Sequence, residues 1–198
     1  MANRLNQLFQ INPQSYLERT VLFSNGLLSP ESQAIMANRL FHHVDIEPLN
    51  TRSRARLLPN LHQYFQLGDV PMVSYVVPTE GVALVSKNGA QNDLVFIPVF
   101  TCCRLLVQDD EGLLRLSVDR GLVAMSTPPE QEPNSRYCDS INYWEYVTDD
   151  LVGVIRGTAI LFKSPDQPWR FAMQQIVGAT GHEVVRTVFS RDLRYPRL

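Results

Sequence analysis

Arg104-Leu-Leu-Val-Gln-Asp-Asp-Glu-Gly-Leu-Leu-Arg-Leu-Ser-Val118 is the stretch whose reading decides the fold. Two apolar runs flank Asp109-Asp110-Glu111-Gly112, four residues that favour turns through local hydrogen bonds or positive φ. In the second run Leu114, Leu116 and Val118 alternate with Arg115, Ser117 and Asp119. A period of two places one set on a buried face and the other toward water, as in a half-buried strand. The stretch therefore predicts an antiparallel hairpin.

Working outward, Val70–Val77, Val82–Ser86 and Leu94–Ile97 read as strands. Asn88-Gly89 predicts a hairpin turn between the last two, because both residues tolerate positive φ. Downstream, Tyr143–Val147, Leu151–Lys163, Trp169–Val177 and His182–Ser190 read the same way. Gly178-Ala-Thr-Gly181 predicts the turn between the last pair, and Thr127–Ser135 reads as an exposed loop.

The N-terminal third reads as helical. Asn12-Pro13 offers an N-cap with proline at the first helical position, and Gly26 a stop. Ser29-Pro30 repeats the signal, and Met36, Leu40 and Val44 share a face at i, i+4 spacing up to Pro48. A short third helix is predicted over Leu61–Leu67. The expected fold is α+β and β-rich: a helical segment over 1–68, then an antiparallel β-sandwich or barrel of eight or nine strands over 69–198. Short strand spacing without intervening helices disfavours βαβ units.

The totals bound the function. A chain of 198 residues, 44% hydrophobic and 19% charged, carries enough apolar surface for a core without metals or disulfides. A net charge of −2 lacks the basic excess of a dedicated nucleic-acid binder. The charge is segregated: +2 over residues 1–65, −7 over 66–168 and +3 over 169–198. Basic ends flanking an acidic middle suit contacts between neighbouring subunits. Cys102, Cys103 and Cys138 are not a disulfide framework and suit a reducing compartment. The opening residues lack the apolar core of a secretory signal, and Leu94–Val107, interrupted by Pro98 and Arg104, is too short for a membrane helix. A cytoplasmic or virion location without membrane contact is expected.

Candidate sites follow from charge. Arg52, Arg54 and Arg56 alternate, so an extended segment projects all three one way to grip phosphates or acids. The tail carries Arg191, Arg194 and Arg197 with the apolar anchors Tyr195 and Leu198, and Pro196 keeps it extended. This tail is expected to dock on a neighbouring copy and meet the acidic turn of Asp109, Asp110 and Glu111. Adjacent His42-His43 and Cys102-Cys103 lack metal-ligand spacing, and no glycine-rich phosphate loop is present, so no metal or other cofactor is expected. The leading expectation is a non-catalytic assembly subunit of a multimeric particle, such as a viral tail tube, connector or capsid-associated protein. Its partners would be other copies of itself and neighbouring structural proteins. The alternatives are a nucleic-acid-binding module using Arg52–Arg56 and a small thiol enzyme built on Cys138 with His182.

Overall fold

Leu94, Val95, Phe96 and Ile97 are all buried, so this short strand is covered on both faces. Its side chains alternate between two cores. Val95 and Ile97 enter one with Leu105, Val107 and Leu161, and Leu94 and Phe96 enter another with Phe9, Leu17 and Ile160. A strand buried on both faces needs a layer above and a layer below.

Those layers are visible in a computed structural model that describes residues 4–29, 42–58, 72–77, 82–88, 93–98, 100–101, 103–119, 137–146, 156–164 and 166–195. Two helices come first, α1 (Arg4–Ile11) and α2 (Pro13–Arg19). The strands are β1 (Leu22–Phe23), β2 (His42–Leu49), β3 (Arg52–Leu57), β4 (Met72–Val76), β5 (Ala83–Ser86) and β6 (Leu94–Ile97). They continue as β7 (Arg104–Asp110), β8 (Leu113–Asp119), β9 (Tyr137–Asn142), β10 (Arg156–Phe162), β11 (Arg170–Val177) and β12 (Val184–Asp192). A large sheet runs β1-β3-β2-β4-β6-β10-β11-β12, its two halves joined through β4, and a small sheet runs β5-β8-β7-β9. The helices cover one face of the large sheet, and the small sheet packs on the other.

The expected hairpin is present, but its turn is shorter than the expected Asp109–Gly112, because Asp109 and Asp110 belong to β7. β7 and β8 pair antiparallel from Arg104↔Asp119 to Asp110↔Leu113. The turn is only Glu111-Gly112, with φ of 35° and 91°. Two successive positive φ values match the right-handed twist of the flanking strands.

The helical N-terminal third is overturned. Among the described residues only α1, α2 and a single 3-10 turn at Asn25–Leu28 are helical there, and residues 42–57 form the β2–β3 hairpin, while the expected helix after Ser29-Pro30, through Met36 and Leu40, lies outside the described residues. The physical reason is a period-two pattern. Val44 and Ile46 are buried beneath the helices, and in β3 buried Ser53, Ala55 and Leu57 alternate with exposed Arg54 and Arg56. Val44 belongs to that pattern and not to a helix with Met36 and Leu40. The expected helix over Leu61–Leu67 and the loop over Thr127–Ser135 lie outside the described residues.

The Asn12-Pro13 start is observed. The Asn12 side chain accepts a hydrogen bond from Ser15 N at 2.9 Å. Yet α2 ends at Arg19, well before Gly26, because Gln174 takes over its C-terminal carbonyls. Gln174 Nε2 donates to Leu17 O and, at 2.8 Å, to Thr20 O.

An all-antiparallel arrangement is also overturned. β4 pairs parallel with β6, and β1 parallel with β3. β5, which lies between β4 and β6 in sequence, belongs to the small sheet, so the chain leaves the large sheet and re-enters in the same direction. The expected β5–β6 hairpin across Asn88-Gly89 therefore does not form, and β5 pairs with β8 instead. Tyr143–Tyr146 is a 3-10 turn, not a strand.

Neither sheet closes into a barrel. β1 does reach over β10 and β11, but side chains make the seam. Leu22 N donates to Gln174 Oε1 at 2.9 Å, and Thr158 Oγ1 donates to Leu22 O at 2.8 Å. A two-residue strand held by side chains leaves β1 and β12 as separate ends of the sheet. Gly157 is needed where β10 crosses the chain at Phe100, because a Cβ there would overlap the Phe100 carbonyl oxygen. Its N–H donates to Thr101 Oγ1 at 2.9 Å.

Candidate functional site

The arginine stripe is extended, as its alternation predicts, but each member is matched within the chain. Glu47 lies opposite Arg54 on β2 and holds both Arg54, at 2.9 Å, and Arg56, at 2.7 Å. Arg52 turns toward the β11–β12 connection. It pairs with buried Glu183 at 2.9 Å and donates to the Gly181 carbonyl. Glu183 also accepts from Gly181 N at 2.9 Å. Arg52 thus pins one turn to another, and only Arg54 and Arg56 are left facing water, sharing one carboxylate.

Residues 191–195 of the tail dock on their own chain. Leu193 is buried in the core between the two sheets, and its N–H donates to Trp169 O at 2.7 Å. Tyr195 packs against the same core, and its hydroxyl accepts from Trp169 N at 3.0 Å. Arg191 reaches Asp139 on β9 with both terminal nitrogens, each at 2.8 Å, and donates to Ser140 O at 2.8 Å. Arg194 N supplies a further bond to Asp139 Oδ2 at 2.8 Å, while the Arg194 side chain stays exposed. The Asp139 side chain is 0% exposed, so three N–H donors replace the water it gave up. Arg197 and Leu198 lie outside the described residues.

The acidic turn is engaged locally. Asp109 pairs with Lys87, whose side chain is 5% exposed, and Asp110 sits 4.0 Å from Arg115. Glu111 occupies the turn itself and is exposed. The stripe, the tail and the acidic turn are three separate places in the fold.

Cys138 is the extra residue of a bulge where β9 pairs with β7, and its thiol donates to Val107 O at 3.4 Å. Burial raises its pKa above the usual thiol range, and the charges of Asp109 and Asp139 push the same way. That environment favours the neutral thiol over the nucleophilic thiolate. Asp139, next to Cys138, binds Arg191 near the end of β12, whereas exposed His182 precedes the start of β12. At about 3.3 Å per residue, an extended strand separates the two positions by roughly 30 Å. The structure does not bring Cys138 and His182 together.

No family model and no curated protein matches this chain. The reading therefore stands on geometry. Among the described residues no three His, Cys, Asp or Glu side chains gather as metal ligands, and no helix is long and apolar enough to cross a membrane. His42 and His43 fall on successive positions of β2 and point to opposite faces.

The residues that hold the charged network together, Asp139, Glu183, Glu47 and Lys87, carry no local signal in the sequence. Arg191 and Asp139 are 52 positions apart, and only the packing of β12 against β9 brings them into contact.

Proposed function

We propose that this chain is a structural subunit that assembles with other copies of itself and with neighbouring structural proteins into a larger multimeric particle. It works by fit between surfaces. The observation that supports this reading is the end of the large sheet. β12 is nine residues long, pairs with β11 on one side only, and has no strand on its other side among the described residues. A long edge strand presents a row of backbone donors and acceptors that recruits another chain. A virion component such as a tail tube, connector or capsid-associated protein is the proposed setting, because such particles are built from repeated non-enzymatic copies.

The nucleic-acid reading loses support from Glu47 and Glu183, which occupy the stripe's guanidinium groups. The thiol-enzyme reading loses support from the raised pKa of Cys138 and its distance from His182. Sedimentation velocity of the purified chain over a range of concentrations tests the proposal. Concentration-dependent self-association is expected. A single monomeric species at the highest soluble concentration, with and without salt, would count decisively against it.

A further inference from the structure

The hydrogen-bond parity of β12 fixes which of its backbone groups face away from the sheet. Leu193 N donates to Trp169 O, which makes residues 169 and 193 a bonded pair. Counting back by two along each strand, Arg191, Phe189 and Thr187 bond inward to Phe171, Met173 and Gln175. Val188 and Ser190 therefore point both N–H and C=O outward. No hydrogen bond described for the chain reaches these outward groups. The open edge ends at Asp192, whose carbonyl accepts from Arg191 Nη1 at 3.0 Å.

Both faces of this strand are partly covered. Val188 packs against the core beneath the helices, and Phe189 against the core shared with the small sheet. An occupant must therefore enter edge-on, as extended backbone. The strand contains no proline and no lysine, and its bulge, at Arg186, leaves the central residues Thr187–Arg191 in regular register.

We infer that the occupant is β12 of a second copy, paired antiparallel about a two-fold axis at Phe189. This register sets Val188 opposite Ser190 of the partner subunit and Ser190 opposite Val188 of the partner subunit, so every outward group of both residues finds a match. It also brings Arg186, the extra residue of the β12 bulge, near Asp192 of the partner subunit at each end of the ribbon. Arg186 is exposed, and the Asp192 side chain is 57% exposed beside Arg170 at 3.4 Å. Charge selects this register over its neighbours. An axis at Val188 sets Arg186 against serine, and an axis at Ser190 sets it against Arg194 of the partner subunit, a like charge. The two large sheets would then run on as one across the dimer. This inference rests on the assembly reading and specifies one of its contacts.

The test uses the full chain and sedimentation equilibrium. Val188→Pro removes an outward N–H and no bond of the β11 ladder, so it blocks pairing while the fold persists. Wild type is expected to dimerise, and Val188→Pro to remain monomeric with an unchanged circular dichroism spectrum. Arg186→Asp and Asp192→Arg should each weaken dimerisation by about tenfold or more, and the double exchange should restore it. The charge-exchange set decides the matter if Val188→Pro fails to fold. Self-association that persists unchanged in Val188→Pro, or single exchanges that the double exchange does not rescue, would overturn the β12 contact and leave the assembly reading standing. A wild type that never associates overturns both.

Discussion

Arg54 and Arg191 each place two guanidinium nitrogens on one carboxylate, yet they do different work. Arg54 meets Glu47 across the β2–β3 hairpin, with side chains 54% and 20% exposed. Arg191 meets Asp139 between the two sheets, with side chains 22% and 0% exposed. Water competes for the first pair and is excluded from the second. An exposed pair is worth about 0–1 kcal/mol, while removing one partner of a buried pair costs about 3–5 kcal/mol because the other charge is stranded. Burial, more than residue type or count, decides what an arginine contributes.

The sharpest way to break this comparison is to delete residues 191–198. The deletion removes Leu193 from the core and strands Asp139, so about 5 kcal/mol or more of stability should go. Urea unfolding should show a chain that is largely unfolded or melts far earlier. A truncated chain as stable as the full one would mean the tail contributes nothing to its own domain.

Next in size is Asp139→Ala, expected to cost about 3–5 kcal/mol in the same measurement. Pairing Asp139→Leu with Arg191→Met should recover most of that loss, because an apolar pair of similar size carries no desolvation penalty. Failure of the double variant to recover would show that the network is held by its hydrogen bonds to Ser140 and Arg194 more than by charge.

Glu183→Gln should lie between the extremes, at about 1–3 kcal/mol, since it removes the charge facing Arg52 from a buried site and keeps the shape. Arg54→Ala should fall below about 0.5 kcal/mol and vanish in high salt, where exposed pairs are screened. An Arg54→Ala cost as large as that of Asp139→Ala would reverse the comparison.

The smallest effect concerns Cys138. Its folded pKa is raised, first by burial and then by Asp109 and Asp139. The neutral thiol therefore adds stability that is fully present below the ordinary thiol pKa and is lost as pH rises through the folded value. Cys138→Ser should flatten the alkaline decline in melting temperature, and Cys138 should react more slowly with iodoacetamide than free cysteine at neutral pH. Fast labelling in the folded state would contradict its setting.

These cases also show what the sequence makes legible. The β7–β8 hairpin was readable because its pattern and its turn lie within 16 contiguous residues, 104–119. The same holds for the turn between β11 and β12 and for the Asn12 cap. The β2–β3 hairpin was misread although its alternation is present, because Val44 also fits an i, i+4 series with Leu40 and Met36, and serine and alanine at 53 and 55 are weak apolar markers. Parallel pairing of β4 with β6 was not readable at all, because it depends on which sheet β5 joins. The stripe's geometry was legible, but the matching carboxylates were not: Glu183 lies 131 positions from Arg52.

The seam between β1 and Gln174 has a consequence for how the chain is made. Gln174 lies 152 positions beyond Leu22 and 157 beyond Leu17, yet it satisfies backbone groups of both. Thr158, 136 positions beyond Leu22, completes the set. During synthesis α2 and β1 emerge before β10 and β11, so the bonds from Gln174 and Thr158 form only once those strands have been produced. At about 5–20 residues per second the wait is of order ten seconds or more. Over that interval Leu17 and Leu22, fully buried in the finished fold, lack the part of their core that Ile160 and Ala172 supply. The segment of α2 and β1 is thus held in its final place by strands that lie far later in the sequence.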